Sequence, residues 1–149
     1  MKVRLLKKSD INAAGAIVGS NYSKAWQKKS MLEMKSMFSN AAIRPVYYVA
    51  EDRGKIVGFI GFTQSWMDYN VYEIFWVNVL PDRQREGIGK KLVAKAIKEI
   101  KKQDSHIIQL TARSHNAKYY KQHFGFRTLE CFGPQKYRLM SLVVRKVIK

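Results

Sequence analysis

The sequence predicts a single α/β domain, in which one mixed β-sheet carries helices on both faces. Its 149 residues are the length of one domain. The clearest helix covers residues 87–102, where six apolar residues recur at helical spacing opposite a face of lysines. Two apolar runs, 46–51 and 55–64, flank the turn sequence Asp52-Arg53-Gly54 and are typical of a β-hairpin. Strand and helix patterns then alternate to the end of the chain, which favours a layered α/β arrangement.

The remaining elements follow from the same patterns. Two segments before Pro45 show helical spacing, and Ser9 can cap the first of them. Pro81 ends the longest strand. In chain order the prediction is a strand at 2–6, helices at 9–22 and 25–39, strands at 46–51, 55–64 and 69–80, a helix at 87–102, a strand at 106–111, a helix at 116–123, and strands at 129–132 and 136–147.

Composition excludes several classes of protein. A hydrophobic fraction of 46% excludes a disordered chain. No apolar run is long enough for a transmembrane helix or a signal peptide, so we expect a cytoplasmic protein without a membrane partner. The single cysteine, Cys131, permits neither an intrachain disulfide nor a multi-cysteine zinc site. The three histidines have no shared spacing, so we expect no metal.

The net charge of +17 points to an anionic partner or to a solvated basic surface. Nucleic acid, an anionic membrane and a phosphorylated small molecule all fit the charge alone. The sequence lacks an aromatic-basic strand signature or a recognition helix, so we expect nucleic acid to be an unlikely partner.

The segment from Gln84 to Gly89 joins the longest strand to the clearest helix and carries two glycines two residues apart. Glycines let a ligand approach the backbone, and the N-terminus of a helix favours an anion. Four cationic side chains add positive charge around this point: Arg83, Arg85, Lys90 and Lys91. The spacing does not match that of a Walker loop. It does not match a dinucleotide fingerprint either, because Leu92 stands where the third glycine of that fingerprint is needed. The segment therefore predicts a pyrophosphate site of another kind, and its alternative is a flexible turn between the strand and the helix.

The Gln-x-x-Gly-x-Gly pattern after a strand resembles the acyl-CoA loop of the GNAT superfamily of N-acetyltransferases. A second segment, 116–126, is similar to a later motif of that family, with an Asn opening a short helix, a Tyr four residues on, and a Gly-Phe pair before the next strand. The order of elements matches over nearly the whole chain. The resemblance implies the GNAT fold over residues 1–149, with a twisted, mostly antiparallel mixed sheet of about seven strands.

The resemblance also implies acetyl-CoA as cosubstrate and a set of residues that bind it. The loop N–H groups would hold the pyrophosphate, a bulged strand would pair with the pantetheine arm, and Asn116 would contact that arm. A backbone N–H of the bulged strand would polarise the acetyl carbonyl. The expected binding residues are Val77, Asn78, Val79, Gln84, Arg85, Glu86, Gly87, Ile88, Gly89, Lys90 and Asn116.

Two side chains are the implied catalytic groups for direct attack of a primary amine on the thioester. Glu73 stands where histone-acetylating members carry a base, and it would act as the base or through a water relay. The alternative is an ordinary glutamate on the solvent face of the strand. Tyr120 matches the usual tyrosine acid of the family and would protonate the CoA thiolate, and its alternative is a core aromatic. Its neighbour Tyr119 is the residue that we expect in the core.

The acceptor is less defined than the reaction. A protein of charge +17 repels polycations, which favours a small amine or a peptide or protein N-terminus. Six aromatic residues could line an acceptor pocket, although we expect most of them in the core: Tyr22, Trp26, Phe38, Trp66, Tyr69 and Trp76. A basic nucleic-acid-binding module and a CoA-binding regulator without activity are the alternative functions, and the family resemblance suggests a homodimer.

Overall fold

The computed structural model describes residues 1–145 and places four α-helices around a seven-stranded sheet within them. The predicted fold class is confirmed. The elements are β1 (Lys2–Leu5), α1 (Ile11–Asn21), α2 (Lys24–Lys35), β2 (Val46–Asp52), β3 (Lys55–Gln64), β4 (Val71–Val79), α3 (Ile88–Lys101), β5 (Ile107–Arg113), α4 (Ser114–Phe124), β6 (Arg127–Phe132) and β7 (Tyr137–Val143). Residues 146 and 147, the predicted end of the last strand, lie outside the described residues.

The strands lie in the order β1-β2-β3-β4-β5-β7-β6. Strands β4 and β5 are parallel, while the five other neighbouring pairs of the described sheet are antiparallel. A parallel pair needs a long crossover connection, and α3 supplies it. The carboxyl end of β4 and the amino end of α3 therefore meet at one edge of the sheet.

Several predicted boundaries were wrong by a few residues, for local reasons. The predicted helix 9–22 begins as a 3-10 turn at Lys8–Asp10, and the predicted helix 25–39 ends as a 3-10 turn at Ser36–Phe38. Strand β4 begins at Val71, because a hydrogen-bonded loop occupies the preceding residues. Strand β5 runs to Arg113, two residues beyond its predicted end, and α4 follows it directly.

Two apolar cores lie on opposite faces of the sheet. On one face, the predicted apolar stripe of α3 packs on the central strands, and Leu92, Val93, Ala96 and Ile100 are fully buried. On the other face, α1 and α2 cover a second core around Phe59. Alternation along β4 sends Tyr72 and Ile74 to the α3 face, so Glu73 and Phe75 lie on the α1 face. No helix of the described residues is long and apolar enough to cross a membrane.

An ion-pair network fixes the start of α1. The Arg4 guanidinium on β1 donates to both Asp10 carboxylate oxygens, at 2.7 and 3.1 Å, and to Glu51 on β2 at 3.0 Å. Asp10 also accepts a hydrogen bond from the Lys7 backbone N–H at 2.7 Å. These hydrogen bonds, with that of Arg4 the strongest, hold the pKa of Asp10 below its usual value. The network therefore stabilises the entry to α1 as long as Asp10 is ionised.

We expect Asp10→Asn to lower the free energy of unfolding at pH 7 by about 1.5–3 kcal/mol, the range for a charged hydrogen bond. The folded pKa of Asp10 is depressed, so its contribution is complete above pH 3.8 and is lost as the pH falls through the folded value. Urea denaturation at pH 7 and pH 3 measures both effects. Asp82→Asn is the matched control, because Asp82 is exposed. A difference between wild type and Asp10→Asn that does not shrink between pH 7 and pH 3 would contradict the assignment.

Candidate active site

An extra residue in β4 shapes the centre of the site. Phe59 of β3 pairs with Asn78 and Gly61 pairs with Phe75, so two steps along β3 face three along β4. Trp76 lies inside this bulge with a φ of 53°. A bulge takes one residue out of the ladder and turns the strand locally. The backbone of β4 between Phe75 and Asn78 is therefore available to a neighbour other than β3.

The same stretch of β4 has separated from β5. Pairing between these two strands covers only Val71–Glu73 with Ile107–Gln109. Beyond Glu73 the two strands diverge, and α4 starts at the end of β5. The result is a V-shaped opening between β4 and β5, with the bulge on one wall.

The glycine loop lies at the wide end of this opening. Gly87 precedes α3 in the left-handed region, with a φ of 82°, and no side chain caps the helix. The first N–H groups of α3 therefore lack intrahelical acceptors and face outward. Gly89 lies inside the first turn. A Cβ on Gly89 would meet only the Val79 Cγ2, at 3.8 Å, which is an ordinary contact. The fold itself does not require glycine at position 89.

A cavity of about 790 Å³ joins the loop to the bulge. Ten of the eleven predicted binding residues line it, and Glu86 does not. The structure adds residues that the sequence analysis did not assign to the cosubstrate site: Asn21, Tyr22, His115, Tyr119 and His123. The expectation that Tyr119 belongs to the core was wrong, because this side chain forms part of the cavity wall.

Charge around the loop differs from the sequence-based expectation at one residue. The Arg83 guanidinium donates to Asp52 and to Glu86, each at 2.9 Å, so its charge is balanced. Arg85 and Lys90 make no ion pair within residues 1–145. These two side chains and the helix N-terminus supply the positive charge of the cavity. Glu86 acts on the loop by holding Arg83.

Asn21, at the end of α1, connects three parts of the site. Its amide N–H₂ donates to the Asn78 side-chain oxygen at 3.1 Å and to the Val79 carbonyl at 2.9 Å. The Gln84 amide donates to the Asn21 side-chain oxygen at 3.3 Å and to the Val79 carbonyl at 3.2 Å. These bonds tie the bulged strand to the loop. No local pattern marks Asn21, since its partners lie 57 to 63 residues away in the chain.

A second cavity, of about 220 Å³, occupies the narrow part of the V. Trp76, Val77 and Asn78 line one side of it, and Asn116 and Tyr120 of α4 line another. Burial raises the pKa of the Tyr120 hydroxyl to about 12. The hydroxyl is therefore protonated throughout the neutral range.

Glu73 lies in a third cavity, of about 210 Å³, rather than beside Tyr120. Its half-buried side chain stands on the α1 face, and its backbone pairs with Thr63 and Gln109. The second and third cavities share four lining residues: Ile74, Phe75, Leu110 and Thr111. The structure thus places Glu73 and Tyr120 in adjoining cavities along the diverging strands.

The six aromatic candidates divide into two groups. Tyr22 and Trp26 make edge contacts with Trp76, with ring centroids 6.5 and 6.0 Å apart, and the Trp76 indole N–H donates to Glu33. The other three lie elsewhere, with exposed side chains: Phe38, Trp66 and Tyr69. The expectation that most of the six are core residues was wrong, because five of them are exposed.

No group of three or more metal-ligating side chains occurs in the part of the chain that the structure describes. The arrangement offers instead a cationic helix N-terminus, an open strand backbone and a buried hydroxyl group along one cleft. Such a cleft can bind an extended ligand that is anionic at one end.

Comparison with known proteins identifies relatives of this architecture. The sequence profile described as the Acetyltransferase (GNAT) family matches residues 12–126. An uncharacterized N-acetyltransferase, ycf52, from Gracilaria tenuistipitata var. liui is 29% identical over 107 residues. That alignment covers 71% of this chain, and the chain spans 57% of the length of this curated relative.

Solved structures show the same fold at low sequence identity. An aminoglycoside 6'-N-acetyltransferase complexed with coenzyme A superposes with a TM-score of 0.84 at 16% identity, with all of both chains covered. The aminoglycoside 6'-N-acetyltransferase from Enterococcus faecium gives a TM-score of 0.81 at 16% identity, again over both whole chains.

We expect alanine to have opposite effects on stability at the two loop glycines. Gly87→Ala places a Cβ in the left-handed region and should lower the free energy of unfolding by about 1–2 kcal/mol. Gly89→Ala should raise it by up to about 1 kcal/mol, because alanine is the better helix former and the site has room. Thermal and urea unfolding of the purified variants measure both. A destabilised Gly89→Ala would show that the fold does require that glycine.

Proposed function

We propose that this chain, which belongs to the Acetyltransferase (GNAT) family, transfers the acetyl group of acetyl-CoA to a primary amine. The observation that carries the proposal is the continuity of the glycine loop, the bulged β4 and Tyr120 along one V-shaped cleft. The reaction is a direct attack within a ternary complex. A cytoplasmic location, a homodimer and the absence of nucleic-acid and membrane partners stay predictions from the sequence.

The larger cavity is the proposed site for CoA. The N–H groups from Arg85 to Lys90 bind the pyrophosphate, and the Arg85 and Lys90 side chains add charge. The pantetheine arm runs along the backbone of Val77–Val79, where the bulge has taken β4 out of its ladder, and Asn116 contacts the arm from α4. Support comes from ten predicted binding residues that line this single cavity. The missing Cβ of Gly89 gives the pyrophosphate close access to the helix.

Deprotonation of the acceptor is the first requirement of the reaction. An alkyl amine of pKa about 10.4 is only about 0.04% neutral at pH 7, which corresponds to about 4.6 kcal/mol. Glu73 removes the proton, directly or through a water molecule, from the cavity that adjoins the thioester. The neutral nitrogen then forms a bond to the acetyl carbon, and a backbone N–H of the bulge holds the oxyanion.

Tyr120 completes the transfer. The nitrogen of the tetrahedral intermediate first loses its extra proton to solvent. As the intermediate collapses, the C–S bond breaks and the thiolate of CoA takes the Tyr120 hydroxyl proton. A pKa of about 12 for Tyr120 exceeds the value of about 8.5 for a free thiol, so the transfer in water would be uphill. The same burial raises the pKa of a thiolate formed beside Tyr120, which narrows this gap. Solvent then returns a proton to the tyrosine.

The proposed acceptor is a small amine or the N-terminus of a peptide or protein. An α-amino group has a pKa of about 7.7–8.0, so it needs less help from Glu73 than a lysine side chain. Neither of the two cavities along the cleft is lined by an acidic residue. A polycationic acceptor would therefore enter against the charge of the site.

Acetyl-CoA should bind to the wild-type protein at micromolar concentration, and at least about tenfold more tightly than ATP, at physiological salt. Compared with the wild-type protein, Gly89→Ala should bind acetyl-CoA about tenfold more weakly, or by about 1.4 kcal/mol, and should bind ATP equally well. Calorimetric titration measures all of these constants. Ala94→Ser is the control, because Ala94 is exposed on the same helix. Equal, weak binding of both nucleotides would contradict the proposal.

The two catalytic assignments predict different kinetic defects. Tyr120→Phe should lower kcat by about 10²–10³-fold with little change in acetyl-CoA binding, the usual size of a general-acid contribution. Glu73→Gln should lower kcat at pH 7 and recover as the pH approaches the pKa of the amine, because neutral amine then forms without a base. Release of the CoA thiol measures both rates. Unchanged turnover in Tyr120→Phe would remove Tyr120 as the acid.

Acetyl-CoA binding by the wild-type protein without turnover of any amine would favour the alternative function, a CoA-binding regulator without activity.

A further inference from the structure

One charged side chain lines the narrow cavity that holds Tyr120. Thirteen described residues form the wall of this cavity, and Arg113 is the only ionisable one among them that carries a charge at neutral pH. Arg113 does not line the larger cavity at the glycine loop. Its guanidinium therefore belongs to the thioester end of the cleft, away from the pyrophosphate end.

The fold directs the Arg113 side chain to the face of the sheet opposite α3. It is the last residue of β5 and pairs with Tyr137 of β7. Ile108, Leu110 and Ala112 of β5 pack into the α3 core, so alternation sends Arg113 to the opposite face of the sheet. This is the face on which Glu73 lies. The Arg113 side chain is exposed, so a ligand can reach it.

Arg113 makes no ion pair and no side-chain hydrogen bond with any residue from 1 to 145. Three other arginines of residues 1–145 are occupied by acids: Arg4 by Asp10 and Glu51, Arg83 by Asp52 and Glu86, and Arg145 by Asp104. A guanidinium offers five donors in a planar fork, which match the two oxygens of a carboxylate. The fork of Arg113 is thus available in a cavity that contains no acid.

We propose that Arg113 binds a carboxylate of the acceptor, so that the substrate is an amino acid or a short peptide with a free carboxylate. This inference rests on the proposed acetyl transfer. A carboxylate at Arg113 leaves the amine of the same molecule in the cavity that Tyr120 and the bulge residues share. Arg113 is therefore a specificity residue for the acceptor.

The test compares acceptors that differ only in the carboxylate. Rates of CoA release are measured for the common L-amino acids, for Gly-Gly and Ala-Ala, and for the carboxamide of each. Rates are expressed per concentration of neutral amine, so that differences in basicity drop out. In the wild-type protein the best acid should exceed its amide in kcat/KM by about 30-fold, the size of one charged, bidentate contact. Most of this difference should appear in KM.

Arg113→Gln should abolish that preference, because each acid then reacts at nearly the rate of its amide. Arg113→Lys should retain only part of the preference, because the ammonium lacks the fork. Arg127→Gln is the matched control: it removes the same charge from an exposed position on the edge strand β6 and should keep the full preference.

Two results would overturn the proposal. One is a wild-type protein that acetylates amides or simple alkylamines as well as the acids. The other is an Arg113→Gln variant that binds acetyl-CoA alone more weakly, because Arg113 would then serve the cofactor.

Failure of the proposed function gives a different result. In that case neither acetyl-CoA binding nor CoA release is observed with any amine. If acetyl-CoA binds but the panel yields no product, the same acid and amide pairs are titrated by calorimetry into the CoA complex. The absence of binding that requires both the carboxylate and Arg113 would also overturn the proposal.

Discussion

The site depends on a single backbone constraint, the extra residue that β4 carries at Trp76. Along one edge, β4 pairs with β3 again after the bulge. Along its other edge, the pairing of β4 with β5 ends at Glu73. Strand β4 is therefore held firmly by one neighbour and is open to a ligand on its other edge. An extended ligand can complete this edge as an added strand. All three cavities of the site are lined by residues of β4, so they share this origin.

The helices hold this opening in place from both ends. The Arg4 network fixes the start of α1, and Asn21 at its far end binds Asn78 and the Val79 carbonyl. Helix α3 connects the parallel strands and presents its uncapped N-terminus at the wide end of the cleft. Because these contacts are mainly polar and directional, they set the position of the loop relative to the bulge. The apolar cores stabilise the elements, and the polar contacts place them.

Local patterns were enough to predict the fold class, the α3 stripe and the glycine loop, because each depends on residues close in the chain. Boundaries that depend on a 3-10 turn were wrong by a few residues. The sequence could not show that Arg83 is neutralised by Asp52, since these two residues meet only when β2 and the loop come together. Nor could the sequence show which cavity Tyr119 and Tyr120 each line. Adjacent positions on one helix point in different directions, and what lies in each direction depends on distant parts of the chain. Pairing across distant elements is the information that a single sequence lacks.

Acidic residues are distributed in a way that gives the cleft its charge. Six of the eleven carboxylates form ion pairs away from the narrow cavity: Asp10, Glu51, Asp52, Glu86, Glu99 and Asp104. Glu73 lies next to the narrow cavity but does not line it. A cationic cleft attracts an anionic cosubstrate over a distance comparable with the Debye length. It also disfavours a protonated amine close to the thioester. In the proposed acetyl transfer, this charge distribution would assist the binding of CoA and would favour the neutral, reactive form of the amine at the thioester.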